Sequence, residues 1–163
     1  MNNALKTSFA PIADDRTTIL ILGSLPGDRS LESQQYYAHP RNRFWRVLAE
    51  ITGSDLPNTY EEKLSLLREN KIGVWDVVRE AKRSGSLDTN ILDEIPNDLE
   101  DFIESHPQLK VIGFNGAKSA KLFDKYFGRK AKLKYLALPS TSPANAGITF
   151  ERLGERWREI LIF

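Results

Sequence analysis

Cysteine is absent from the 163 residues. That excludes disulfides and thiolate chemistry, and it fits a reducing compartment. Only two histidines occur, His39 and His106, so a His-rich metal site is excluded and no metal is expected. No apolar run approaches the roughly 18–20 residues of a membrane span. The opening Met1-Asn2-Asn3-Ala4-Leu5-Lys6 lacks the apolar core of a signal peptide. A cytoplasmic protein without a membrane partner is expected. Three glycine signatures are missing as well. Without Gly-x-Gly-x-x-Gly or Gly-x-x-x-x-Gly-Lys-Ser/Thr, dinucleotide and nucleoside-triphosphate readings lose support. Without Gly-x-Ser-x-Gly, so does an ordinary α/β-hydrolase. Strong net charge is lacking too: the formal value is +1.

What remains is an ordinary globular composition, with a length that suits one domain over residues 1–163. Charge is segregated along the chain. Arg41, Arg43 and Arg46 form one basic cluster, Arg79, Lys82 and Arg83 another, and seven Lys and Arg between Lys118 and Lys134 a third, while acidic residues gather in 88–104. Such segregation could make one phosphate-facing side, or simply solvated helix faces.

Four short apolar runs read as strands: Thr18–Leu22, Ile72–Val78, Val111–Phe114 and Tyr135–Leu138. Helices are expected near Phe44–Ile51, over 59–70, Asp93–His106 (opening near Pro96) and 117–127, and from Phe150 to Leu161. Residues 1–17 read as a polar lead-in and 79–90 as a polar loop. Strands alternating with helices predict a three-layer α/β/α fold with a central four-stranded, mainly parallel sheet. In such folds ligands bind at the carboxyl ends of the strands. Polar loops follow there at 23–45, 76–90 and 139–147, with Asn115-Gly116 at a fourth strand end.

The first loop reads Gly23-Ser24-Leu25-Pro26-Gly27, then Tyr37-Ala38-His39-Pro40-Arg41-Asn42-Arg43-Phe44-Trp45. It resembles the first motif of the uracil-DNA glycosylase superfamily, closest to the mismatch-specific and thymine-DNA glycosylases and their hypoxanthine-DNA glycosylase relatives. Leu138-Pro139-Ser140-Thr141-Ser142-Pro143-Ala144 resembles the second motif. Gly73-Val74-Trp75-Asp76-Val77, Gly85-Ser86-Leu87-Asp88 and Phe114-Asn115-Gly116-x-Lys118 look like the hypoxanthine branch. The match runs from about Thr18 to Trp157.

The resemblance implies a DNA glycosylase that flips a deaminated base, hypoxanthine first and uracil second, and cuts its N-glycosidic bond. It implies DNA, double- or single-stranded, as partner, a monomer, and no cofactor. Tyr37 falls at the family's stacking aromatic, and otherwise is a structural tyrosine of the loop. Gly23 and Ser24 would line the base pocket with it. Asp76 falls where much of the superfamily has a base-reading Asn. An ionised carboxylate only accepts hydrogen bonds, so it would take N1–H of hypoxanthine or N3–H of uracil and repel the ring-nitrogen acceptors of adenine and cytosine. Otherwise it caps a helix or pairs with Arg79 or Arg83. The superfamily's usual Asp or Asn after the first-motif glycine is replaced by Leu25. Asn42 is then the expected catalytic residue, positioning water; otherwise its amide pins the loop to the helix start. Asp28 and Gln34 are fallbacks, and His39 reads as loop-fixing. Asn115 either lines the pocket or forms the strand-to-helix turn. Ser140, Thr141, Ser142 and Pro143 would hold phosphates, and Ala144 and Asn145 would enter the duplex. No lysine lies in the first motif, so a Schiff-base lyase step has no nucleophile there. The alternatives are a uracil- or mismatch-specific glycosylase, a DNA-binding module that has lost catalysis, and a small-molecule-binding α/β domain.

Overall fold

The computed structural model describes residues 4–163. The first three residues of the expected lead-in lie outside the described residues. Four parallel strands form the central sheet: β2 (Ile19–Gly23), β3 (Ile72–Asp76), β6 (Val111–Asn115) and β7 (Lys134–Leu138), in the order β3-β2-β6-β7. β2 and β6 are buried along their whole lengths, as strands covered on both faces must be.

Alternation along β2 builds two cores. Ile19 and Ile21 point to one face, where they join Phe44, Val47, Leu48 and Trp157. Leu20 and Leu22 point to the other, against Phe102, Ile112, Phe114 and Phe123. The first face carries helices α2 (Phe44–Thr52), α3 (Tyr60–Glu69) and α6 (Phe150–Trp157). The second carries α4 (Leu99–Ser105) and α5 (Ala117–Tyr126). The expected three layers are therefore present. Gly53, with φ +67°, ends α2 where a left-handed residue is needed.

The structure departs from expectation around the second strand. That strand stops at Asp76, and Val78 begins a new one. β1 (Ala4–Thr7), β4 (Val78–Arg83) and β5 (Leu92–Pro96) form a separate antiparallel sheet in the order β1-β4-β5. The expected loop at 79–90 is thus strand as far as Arg83 and a loop with a short 3-10 turn at Asp88–Asn90 after it, and the lead-in contributes a strand too. The helix expected to open near Pro96 starts instead at Leu99, capped by the Asp98 side chain accepting from Asp101 N–H. A six-residue helix, α1 (Asp28–Ser33), lies inside the first loop.

Strand order positions the site. From β2 the chain goes to β3 on one side and later to β6 on the other. The switch point therefore lies between the carboxyl ends of β2 and β6, where a crevice opens in sheets of this kind. Gly23 ends β2 and Asn115 ends β6.

Candidate active site

Gly23 is paired in register with Asp76 across β2 and β3. A methyl group on Gly23 would sit 2.6 Å from Asp76 Oδ1 and 3.1 Å from the Tyr37 hydroxyl. Only glycine leaves room for both side chains at the strand end. Gly23, Tyr37 and Asp76 thus converge on one point.

Asp76 is buried. Its backbone carbonyl accepts from Asn97 Nδ2 at 2.8 Å, while its Oδ2 has no partner. The Tyr37 hydroxyl is likewise unpartnered, and these are the two buried side-chain polar atoms in that condition among the described residues. Burial pushes the Asp76 carboxyl up to about 7; the Arg83 guanidinium holds it down and the Asp88 carboxylate raises it further. No ion pair to Arg79 or Arg83 closes on Asp76 among the described residues; Arg79 pairs with Glu80 and Arg83 with Asp88.

Tyr37 has φ +52°, a left-handed conformation that costs energy for a bulky residue and concentrates at functional sites. One face of its ring stacks on Phe44 at 3.9 Å between centroids and 21° between planes. The hydroxyl is buried, yet the residue as a whole is only half-buried. Burial, then the Asp76 charge, raise the Tyr37 hydroxyl, with Asn115 pulling the other way, so it stays protonated. Its neighbour Tyr36 is structural: the hydroxyl donates to Ala10 O at 2.9 Å and its carbonyl accepts from Trp45 Nε1 at 3.2 Å.

Asn115 is buried, and its amide is committed to the second loop. Nδ2 donates to Thr141 Oγ1 and Oδ1 accepts from Thr141 N–H, both at 3.0 Å. Thr141 is fully buried in this clasp, so its side chain is not exposed for the phosphate contact expected of it. Asn145 Nδ2 donates to Ser140 O, and the Ser142 hydroxyl accepts from Ala144 N–H. Ala144 is exposed at the loop tip, and Ser140, Ser142, Pro143 and Asn145 are half-buried.

Arg43 joins the two loops, which its place in a basic cluster did not reveal. Its backbone N–H donates to Thr141 O at 3.0 Å. Its guanidinium donates to Ile148 O at 2.7 Å and Asn145 O at 2.9 Å. Of its cluster mates, Arg46 lies over the Phe150 ring at 4.6 Å and Arg41 is exposed. The basic residues after Lys118 partly meet the acidic segment: Lys125 pairs with Glu94 and Lys130 with Glu100.

Asn42 sits at the start of α2, half-buried, with its Oδ1 accepting from Phe44 N–H at 3.0 Å. Its own N–H donates to His39 O, and His39 Nδ1 accepts from Arg41 N–H, so His39 does fix the loop. Leu25 is buried. Asp28 is ion-paired to Lys6 at 2.5 Å, and Gln34 is exposed with its amide on Leu31 O. Ser24 is buried, and its hydroxyl donates to Asp88 Oδ1 at 2.5 Å.

A parallel sheet whose switch point carries an aromatic ring, an open buried carboxyl and two interlocked loops defines an α/β protein that can hold a flat, hydrogen-bonding ring between strand ends. Residues 10–161 match the uracil DNA glycosylase superfamily. A hypoxanthine DNA glycosylase from Methanosarcina barkeri is 49% identical over 117 residues, 71% of this chain and 74% of that protein. Another from Methanosarcina acetivorans is 41% identical over 157 residues, 96% and 98% of the two chains. The solution NMR structure of a candidate uracil DNA glycosylase from Methanosarcina acetivorans superposes with a TM-score of 0.80 at 36% identity, over 97% of this chain and 99% of that one. The chain belongs to the uracil DNA glycosylase superfamily.

Proposed function

We propose that this DNA glycosylase excises deaminated bases, hypoxanthine first and uracil second, as a monofunctional monomer that leaves an abasic site in double- or single-stranded DNA. The observation that carries the reading is the unpartnered Asp76 carboxylate oxygen beside the unpartnered Tyr37 hydroxyl. A buried polar atom left open costs free energy unless a ligand satisfies it. The ionised carboxylate accepts N1–H of hypoxanthine or N3–H of uracil, and repels N1 of adenine and N3 of cytosine. The names of the two Methanosarcina relatives favour hypoxanthine.

A flipped base stacks on Tyr37, whose other face rests on Phe44. As the bond between C1′ and the base nitrogen breaks, its electron pair leaves with the base and the sugar becomes oxocarbenium-like. Water adds to C1′, and its proton passes to the departing base. Leu25 has no group to hold that water. Asn42 Oδ1 keeps a second lone pair beyond its bond to Phe44 N–H, and that lone pair orients the water. Ser140, Ser142 and Pro143 hold the phosphates on the ledge that Thr141 and Asn115 fasten, and Ala144 and Asn145 enter the gap in the duplex.

The test is cleavage of end-labelled duplexes carrying one hypoxanthine, uracil or xanthine, followed by alkali at abasic sites. Cleavage of the hypoxanthine duplex by the wild type, lost in Asn42→Ala, is expected. Duplex binding without cleavage at any of the three bases would instead make the protein a damage-binding module that lost its chemistry with the replacement at Leu25.

A further inference from the structure

The antiparallel sheet that the sequence concealed delivers two side chains to the site. Arg83, at the end of β4, donates from its guanidinium to the carbonyls of Leu25 and Pro26 and so holds the first loop. Asn97, the residue after β5, reaches Asp76 itself. Asn97 is buried. Its Nδ2 donates to Asp76 O at 2.8 Å and to Ser8 Oγ at 3.1 Å, and its backbone N–H donates to Val77 O at 2.8 Å.

The strand explains why a side chain is used there. Backbone groups two residues apart on a strand point the same way. On the outer side of β3, Val74 exchanges two hydrogen bonds with Ile12, both at 2.9 Å, and further along Ser8 N–H donates to Arg79 O at 2.8 Å. Between those contacts the Asp76 carbonyl is met by the Asn97 amide. On the inner side, Val77 N–H donates to Gly23 O at 2.9 Å. The peptide unit that follows Asp76 is therefore held at both ends, its N–H by Gly23 and its C=O by Asn97. No hydrogen bond anchors Asp76 Oδ2. The direction of that carboxyl is set by the backbone carrying it and by the close approach to Gly23.

We propose that Asn97 is a positioning residue for base discrimination: its amide fixes the peptide unit after Asp76, and with it the aim of the open carboxyl at the base. The proposal rests on the hypoxanthine reading above. A carboxylate shifted by about 1 Å falls out of line with N1–H, and a misplacement of that size costs up to about a hundredfold in rate.

The test compares single-turnover excision of hypoxanthine and of N1-methylhypoxanthine from the same duplex by the full-length wild type, Asn97→Ala and Ser8→Ala. Asn97→Ala keeps the backbone bond to Val77 O and removes the side-chain bonds. Ser8→Ala removes the other acceptor of the same amide and leaves the bond to Asp76. Asn97→Ala is expected to slow hypoxanthine excision about tenfold or more without slowing excision of the methylated base, which has no N1–H to offer, so the preference between the two collapses. Ser8→Ala should keep the wild-type preference. A purely structural role would slow both bases in proportion and leave their ratio in place, and that result overturns the proposal. If Asn97→Ala does not fold, Asn97→Asp, which keeps the shape but as a carboxylate has no proton to donate, is read in the same way. A wild type that cuts neither base refutes the functional reading and this proposal with it, whereas a wild type that prefers hypoxanthine, with the preference unchanged in the Asn97 variant, overturns this proposal alone.

Discussion

The two loops that meet at the strand ends are built to opposite rules. The second, from Pro139 to Gly147, has its inward polar groups closed on one another. Thr141 is clasped twice by Asn115, Ser140 by Asn145, and Arg43 reaches across to the Asn145 carbonyl and to that of Ile148 just beyond the loop. The first loop is just as firmly held from behind, through Arg83 and Asp88. Yet at the strand ends beside it, the buried Asp76 Oδ2 and Tyr37 hydroxyl have no partner, and Tyr37 takes a left-handed backbone. A closed network rigidifies its element. An open one keeps interaction energy for a ligand. In the proposed function the second loop serves as a fixed ledge for DNA and the first as the reading surface.

Substitutions that break the open side should cost activity far more than stability. Asp76→Leu should lower hypoxanthine excision by about a hundredfold or more, as when a site built to hydrogen-bond its substrate loses the group, measured in single turnover. Asp76→Asn separates charge from hydrogen bonding. Its amide can turn to serve either hypoxanthine or adenine, so excision should persist without an acid limb while binding discrimination against adenine narrows. Stability should move the other way. The folded Asp76 value of about 7 lies above the ordinary 3.8. The cost of burying the charge is therefore absent below about pH 4, grows between the two values and is fully imposed above about pH 7. Asp76→Asn should raise thermal stability above pH 7 by on the order of a few kcal/mol, with the gain fading toward pH 4.

Next in size are substitutions at the stacking ring and then on the rigid framework. Tyr37→Ala removes a stacking contact worth about 1–3 kcal/mol per base and should slow excision about tenfold or more, whereas Tyr37→Phe keeps the ring and most of the rate. Asn115→Ala leaves the buried Thr141 N–H and hydroxyl unpaired, so it should cost about 1–3 kcal/mol in denaturant unfolding and weaken duplex binding as the ledge loosens. The smallest effect should come from Ser142→Ala. It removes a short helical cap worth about 1 kcal/mol at most in so exposed a turn, seen as a small loss of duplex affinity.

Much of this was legible in the chain. The central strands are short apolar runs covered on both faces, and such runs announce themselves. The first loop carries its residues in one contiguous stretch, so Tyr37 was readable beside Gly23. The antiparallel sheet was not readable, because β4, Val-Arg-Glu-Ala-Lys-Arg, has four charged residues in six, and β5 contains Asp, Glu and Pro. Such strands form because the fold covers one face, not because their own pattern demands it. Arg83 and Arg43 sit in basic clusters, yet both turn inward onto backbone carbonyls, and a count of basic residues does not say which of them do. Thr141 and Asn115 face each other across 26 positions, and no local spacing signals such a clasp.

The central claim is that the Asp76 carboxylate reads the N1–H of the flipped base. It is tested most directly by excision of hypoxanthine and of N1-methylhypoxanthine from the same duplex, in wild type and in Asp76→Ala, where the shorter side chain also makes room for the methyl group. The account predicts a strong wild-type preference for the unmethylated base that falls by about tenfold or more in the variant. An equal preference in both proteins would contradict it, because the discriminating contact would then lie somewhere other than Asp76.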